Sequence, residues 1–408
     1  MVQHLLLALS MQKRVAAVSR NGRKKYVKVF RYLFARRSIA LYLASCFVLA
    51  GSPGYAPAKA PHFRTIVINN TQLRRDVNGD IIDAHDGCLQ FFEGRYYLYG
   101  TAYGKSAGYG INNRFRVYSS PDLVRWRFDG EILESPPDGV YYRPYVAYNP
   151  TTRKYVLWYN WYPQLWDGQV GAAVSDTPVG PFAIVNPKVQ LSQAKDRPGD
   201  GSLFVDEDGT GYFMYSVIGQ DHAIRIERLA PDFLGSTGEV SDMLGKGCEA
   251  PALFRRGKRY YALFDSTCCF CPAGSGARVL TASKPLGPYT QLRNINRDTN
   301  GKPIVAGQQT FVARIPTSEG VEYIWMADRW GSRPDGLKGH DFQYWSSPLQ
   351  FAPDGNIAPI KWVGEWKLSI ELGESTPQRK LPYQWPRKKD PHPLKVDPCS
   401  GVALPAEE

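Results

Sequence analysis

Between residues 62 and 372 apolar and polar positions alternate in short runs broken by Gly, Pro and Asp, and no helical period is sustained. One unit, a turn followed by an aromatic-rich strand, recurs five times. Its copies are Gly94-Arg95-Tyr96-Tyr97-Leu98-Tyr99, Arg153-Lys154-Tyr155-Val156-Leu157-Trp158, Gly209-Thr210-Gly211-Tyr212-Phe213-Met214, Gly257-Lys258-Arg259-Tyr260-Tyr261-Ala262 and Gly320-Val321-Glu322-Tyr323-Ile324-Trp325. A Pro-containing segment follows each copy: Ser120-Pro121-Asp122, Thr177-Pro178, Ala230-Pro231-Asp232, Lys284-Pro285 and Ser347-Pro348. Because Pro cannot donate to a sheet ladder, these segments read as the turn or edge that closes each unit. A spacing of about 50 to 60 residues suits one four-stranded blade, so the pattern predicts an all-β, five-bladed β-propeller as a single domain. A β-sandwich also has evenly spaced short strands, but gives no reason for a whole four-strand unit to recur.

Outside this region the pattern changes. A basic stretch ending at Arg36-Arg37, an apolar run from Ile39 to Ala50 and the small-residue segment Ala58-Lys59-Ala60 have the order of a secretory signal. The reading is therefore a leader over 1–60, a propeller over 61–375 and a Pro- and Lys-rich tail over 376–408. The product is expected to be secreted or periplasmic, with no stable membrane association once the leader is removed. Lipid anchoring at Cys46 is the lesser alternative, and Met11 is an alternative start. Eleven of the net twelve positive charges fall in residues 1–60. The rest is near neutrality, which removes the case for a nucleic-acid partner.

Six cysteines remain beyond the leader, an even number that suits disulfides in an oxidising compartment. Cys268, Cys269 and Cys271 are expected to staple a loop, and Cys88 and Cys248 could pair. Asp206-Glu207-Asp208-Gly209 is acidic enough for a calcium loop but reads as a hairpin tip, so no metal or other cofactor is implied.

The innermost strand of each propeller blade runs along the central channel, so equivalent positions in the repeats converge. About ten to fifteen residues before each tyrosine copy stand Asp86, Arg143, Asp200, Glu249 and the pair Gln308-Gln309. Asp86 and Asp200 precede glycines and could each be ordinary turn residues, and Glu249 could pair with Arg255 at the surface. Their shared place in the repeat argues instead for one acidic funnel. Glycosidic cleavage needs such a set: one protonated carboxyl, one ionised carboxylate, and a third charge that separates their pKa values.

These segments resemble glycoside hydrolase family 43 over nearly all of residues 80–370. Asp86-Gly87-Cys88 is similar to the first-blade motif with its general base, Asp200-Gly201-Ser202 to the third-blade motif whose Asp tunes the acid, and Glu249-Ala250-Pro251 to the fourth-blade motif with the general acid. The resemblance implies an inverting hydrolase of galactan-, arabinan- or xylan-type polysaccharides or oligosaccharides. A nearer similarity, through Ala84-His85, Arg143-Pro144, Gln308-Gln309-Thr310-Phe311 and Asp328-Arg329-Trp330, is to the branch containing exo-β-1,3-galactanases. In that branch a fifth-blade Gln stands in for a missing Asp, whereas here Asp86 is present. His85, Arg143, Gln308 and Gln309 are then expected to bind sugar, and Trp158, Trp161 and Trp330 to stack on it. Thr101 and Tyr142 stand where the branch has acidic residues, which keeps a non-catalytic carbohydrate-binding propeller as the competing reading.

Overall fold

The computed structural model describes residues 62–372 except 107, 109, 112, 165–166, 193–196 and 269. The expected leader, Cys46, and the tail over 376–408 lie outside the described residues. Five antiparallel sheets make up the described chain. Blade 1 holds β2 (His85–Phe92), β3 (Arg95–Ala102), β4 (Arg114–Ser120) and β5 (Arg127–Glu131). Blade 2 holds β6 (Val140–Asn149), β7 (Lys154–Tyr162), β8 (Gln169–Ser175) and β9 (Ala183–Asn186). Blade 3 holds β10 (Pro198–Val205), β11 (Gly211–Val217), β12 (Ala223–Leu229) and β13 (Ser236–Val240), and blade 4 holds β14 (Cys248–Arg256), β15 (Arg259–Ser266), β16 (Arg278–Ala282) and β17 (Thr290–Asn294). Blade 5 holds β18 (Gln308–Thr317), β19 (Gly320–Arg329) and β20 (Phe342–Trp345), joined by a ribbon of β1 (Phe63–Asn69) with β21 (Glu365–Glu371). The expected five-bladed propeller is the fold.

Each tyrosine copy begins a second strand, just past its hairpin turn, and each Pro segment follows a third strand. Aromatic and β-branched side chains suit these pleated strands because both faces pack against neighbouring blades. One cluster joins blades 1, 2, 3 and 5 with the β1/β21 ribbon, while smaller ones fill the seams between blades 3 and 4 and between blades 4 and 5. The ring closes between first strands: β2 touches β6, β6 touches β10, β10 touches β14, β14 touches β18, and β18 returns to β2. Asn70 fastens the closure, since its side chain donates to the Trp345 carbonyl (2.9 Å) and accepts from the Trp345 amide (2.9 Å).

All five first strands share one irregularity. The register with the second strand breaks near the start of each, at His85/Cys88, Tyr142/Tyr145, Pro198/Gly201, Glu249/Ala252 and Gln309/Phe311. Such a bulge re-aims side chains that plain alternation would send into the sheet packing. Asp86, Arg143 and Ala250 take positive φ there (50°, 55° and 54°), a backbone state non-glycine residues rarely adopt. Asp86-Gly87 and Asp200-Gly201 are therefore bulge residues and not turns. Their glycines are needed for close approach: a Cβ on Gly87 would overlap the Tyr99 carbonyl, and one on Gly201 the Phe213 ring.

The disulfide expectation is corrected. Cys88 and Cys248 are separate buried thiols, Cys88 Sγ accepting from the Val146 amide and Cys248 Sγ facing the Lys246 carbonyl. The Cys268 thiol is also free and faces the Cys271 carbonyl at 3.7 Å. Cys269 and Cys399 lie outside the described residues. Asp206 does lie in a hairpin turn, as read from the sequence, with its amide donating to the Thr210 carbonyl. Arg255 (2.7 Å) and the Tyr260 hydroxyl (2.5 Å) occupy its carboxylate.

Candidate active site

The bulges bring Asp86, Arg143, Asp200, Glu249 and Gln308 to one cleft of ≈ 300 Å³, completed by Tyr103, Tyr142, Phe270 and Trp330. Five blades contribute one polar residue each, which is the convergence read from the repeat. Glu249 does not pair with Arg255, whose guanidinium is engaged by Asp206 and Glu207.

Asp86 is almost fully buried. Its carboxylate accepts hydrogen bonds from the Thr101 hydroxyl (2.6 Å), the Tyr103 hydroxyl (2.5 Å) and the Arg143 amide (3.2 Å). Burial pushes its pKa up to about 6, and the charge of Arg143 with the two hydroxyls keeps it from rising further. Glu249 is held by the Cys268 amide and by the Gln308 side-chain amide (3.0 Å). Burial, reinforced by the negative charge of Asp200, pushes Glu249 up to about 8. Asp200 is bound by Arg143 at 3.0 Å and by the Ala250 amide at 2.9 Å. Burial works against the charge on Arg143, but the carboxylates beside it, Asp200 first and then Asp86, raise its pKa, so it stays cationic. Near neutral pH the cleft thus holds one carboxyl that keeps its proton and one carboxylate that has lost it.

The cleft wall is aromatic. Trp330 donates to Gln308 Oε1 at 2.8 Å, which fixes the amide so that its NH₂ faces Glu249. Phe270 meets Trp330 and Tyr103 edge-on at 5.0 and 5.5 Å between ring centroids. Behind them the Lys338 ammonium lies 3.7 Å from both the Phe270 and Trp330 ring centres and 3.6 Å from Asp341. Burial pulls the Lys338 pKa down to about 8. A cation between two rings braces the wall from the protein side.

Of the expected sugar-binding residues, Arg143, Gln308 and Trp330 line the cleft. Four others do not, and each is a correction. His85 is wholly buried, with its ring nitrogens against Asp328 and the Gly339 carbonyl. Gln309 turns away into the seam between blades 4 and 5, donating to the Ala250 and Leu263 carbonyls and accepting from Trp325. Trp158 lies in the middle of β7, packs on Phe213 at 4.5 Å and donates to the Phe233 carbonyl, so it is core between blades 2 and 3. Trp161 stacks on Tyr141 at 6.0 Å and donates to the Pro187 carbonyl, on the face of the sheet opposite Tyr142. Conversely, Tyr103 and Phe270 were missed. Both, like Trp330, are aromatic residues one to four positions beyond the end of a second strand, a position that would have singled them out.

A five-bladed propeller with three acidic side chains and an arginine gathered in its funnel defines the class of protein. Residues 82–314 match the model of glycosyl hydrolases family 43, and the chain belongs to that family. Among solved structures, it is similar to a β-1,3-galactosidase of family 43 bound to galactodeoxynojirimycin, at 28% identity and TM-score 0.64 over 73% of this chain and 99% of that one. It is likewise similar to an exo-β-1,3-galactanase from Clostridium thermocellum, at 26% identity and TM-score 0.65 over 76% of this chain and 68% of that one. A curated relative is a β-D-galactofuranosidase of Aspergillus niger, 27% identical over 220 residues, which are 49% of this chain and 61% of the relative. Another is an arabinoxylan arabinofuranohydrolase of Bacillus subtilis, 24% identical over 62% of this chain and 56% of the relative. The chain thus spans about three fifths of the length of these curated relatives.

Proposed function

We propose that the protein is an inverting glycoside hydrolase that removes terminal β-galactosyl residues from galactan-type chains. The observation that carries this reading is the pair of buried carboxyls in one cleft, Glu249 raised to about 8 and Asp86 to about 6. Between those values Glu249 holds a proton to give and Asp86 a lone pair to receive one. Glu249 donates its proton to the glycosidic oxygen as the bond from that oxygen to the anomeric carbon breaks. Water attacks the same carbon from the opposite face and yields its proton to Asp86, so the configuration inverts. Asp200 keeps Glu249 protonated by its charge, and its own carboxylate is aimed by Arg143 and the Ala250 amide. In this reading Gln308 is a positioning amide and Asp86 the base.

The β-galactoside preference rests on the β-1,3-galactosidase and exo-β-1,3-galactanase among the structural relatives. Action at chain ends is supported by the Tyr103, Phe270 and Trp330 wall that closes one side of the cleft. The apolar run from Ile39 to Ala50, followed by Ala58-Lys59-Ala60, supports export of the folded product.

The test is a hydrolysis panel of β-1,3-galactan, arabinan, arabinoxylan and aryl β-D-galactosides, with proton NMR of the first anomer released. Release of α-galactose by the wild type, abolished in Glu249→Gln, is the expected result. Binding of the glycans without release of sugar would overturn the hydrolytic reading, and release of arabinose alone would overturn the substrate assignment.

A further inference from the structure

Immediately behind Asp86 lies a buried chain of charges that the reaction does not consume. Asp328 of β19 is almost wholly buried, and its two carboxylate oxygens have different partners. Oδ2 accepts the Asp86 amide at 2.6 Å, and Oδ1 stands 3.0 Å from His85 Nδ1. The other ring nitrogen, Nε2, faces the Gly339 carbonyl at 3.1 Å and Asp83 Oδ1 at 3.9 Å. A neutral imidazole has one donor nitrogen and one acceptor, so it would press a lone pair against one of these oxygens. Only the doubly protonated ring satisfies both sides.

The remaining groups fit a cationic ring. Asp83 accepts the Tyr103 and Gly104 amides and stands 3.6 Å from Arg116. Arg74, Lys338 and the Asp86 carboxylate also interact with the charge of Asp328, and the rings of Tyr103 and Trp330 lie 6.1 and 5.5 Å from the imidazole. Burial pulls the His85 pKa down, but Asp328, and after it Asp83 and the Gly339 carbonyl, hold it up at about 9. The two acids flanking His85 thus grip the two segments that define the base: Asp328 holds the Asp86 amide, and Asp83 holds the amide of Tyr103, whose hydroxyl reaches Asp86. The grip matters because Asp86 sits at φ 50°, a backbone state that must be held by its surroundings.

We propose that His85 is a permanent imidazolium which, with Asp328, serves as a positioning pair for Asp86, fixing its main chain at the bulge without touching substrate. This rests on Asp86 acting as the base. The expected kinetic result is that Asp328→Ala lowers kcat about 100-fold, within the range of about 10² to 10⁴ that a general base supplies, while KM changes less than twofold. Asp328→Asn retains an acceptor for the Asp86 amide and should recover about tenfold of that loss.

Two readouts are independent of turnover. In ¹⁵N NMR at pH 7.5, the histidine signal that disappears in His85→Gln should show two protonated nitrogens in the wild type and a neutral ring in Asp328→Asn. Hydrogen exchange at the Asp86 amide should accelerate at least tenfold more than at core amides in Asp328→Ala. A neutral His85 in the wild type overturns the proposal, as does unchanged exchange at Asp86 or a kcat within twofold of wild type in Asp328→Ala. If the wild-type protein hydrolyses no glycan, the functional reading alone fails, and the NMR and exchange results still decide whether the pair fixes this backbone.

Discussion

Replacing Asp200 by Asn probes how the two carboxyls are kept apart in protonation. Glu249 stands at about 8 against an ordinary 4.5, with burial the larger cause and the charge of Asp200 the second. One pH unit corresponds to about 1.4 kcal/mol, so the whole displacement is worth about 5 kcal/mol, and a neighbouring charge accounts for about 1 to 3 pH units, or about 1.4 to 4 kcal/mol, of such an effect. Loss of the Asp200 charge also frees Arg143, 3.0 Å away, to act on Glu249, which adds in the same direction. The alkaline limb of kcat/KM against pH, which reports the acid in the free enzyme, should therefore fall by at least about one pH unit. The acid limb near pH 6, which reports Asp86, should move less and in the same direction, because burial is the largest cause of its shift and the freed Arg143 lowers it as well. The assay is a pH series with a galactoside whose leaving group needs protonation. An alkaline limb that stays within about 0.3 pH units of wild type would refute the assignment of Asp200 as the residue that tunes Glu249.

Three other outcomes are expected. Glu249→Gln removes a group that binds a proton more tightly folded than unfolded; wild-type stability falls as pH rises from about 4.5 to 8, so the variant should gain up to several kcal/mol at pH 8.5 and little at pH 4.5, as read by denaturant unfolding. Tyr103→Phe removes a hydrogen bond that lowers the Asp86 pKa, so the acid limb should rise by about half to one pH unit, measured in the same pH series. Trp158→Ala and Trp330→Ala remove similarly buried rings and should each cost about 3 to 5 kcal/mol of stability, but wherever the protein remains folded Trp158→Ala should leave KM near wild type and Trp330→Ala should raise it; the reverse pattern in KM would contradict their placement.

The sequence alone determined the number of blades, the second strand of each and the five positions that meet at the axis. These follow from local rules repeated five times: strand alternation, turn residues, and Pro excluded from the ladder. It also singled out Asp86, Arg143, Asp200, Glu249 and Gln308, which line one cleft, because equivalent positions in a closed ring converge whatever the side chains are. Tertiary structure decided which of two adjacent residues faces the funnel. His85 beside Asp86, Gln309 beside Gln308 and Tyr141 beside Tyr142 differ by one position at a bulge, where the simple alternation that a sequence displays no longer holds. It also decided the aromatic wall, since Tyr103, Phe270 and Trp330 come from separate blades and meet through loop packing around Lys338. Protonation belongs to the same level: an Asp and a Glu with similar intrinsic acidity come to differ in protonation near neutral pH only through the burial and charges that folding assembles around each.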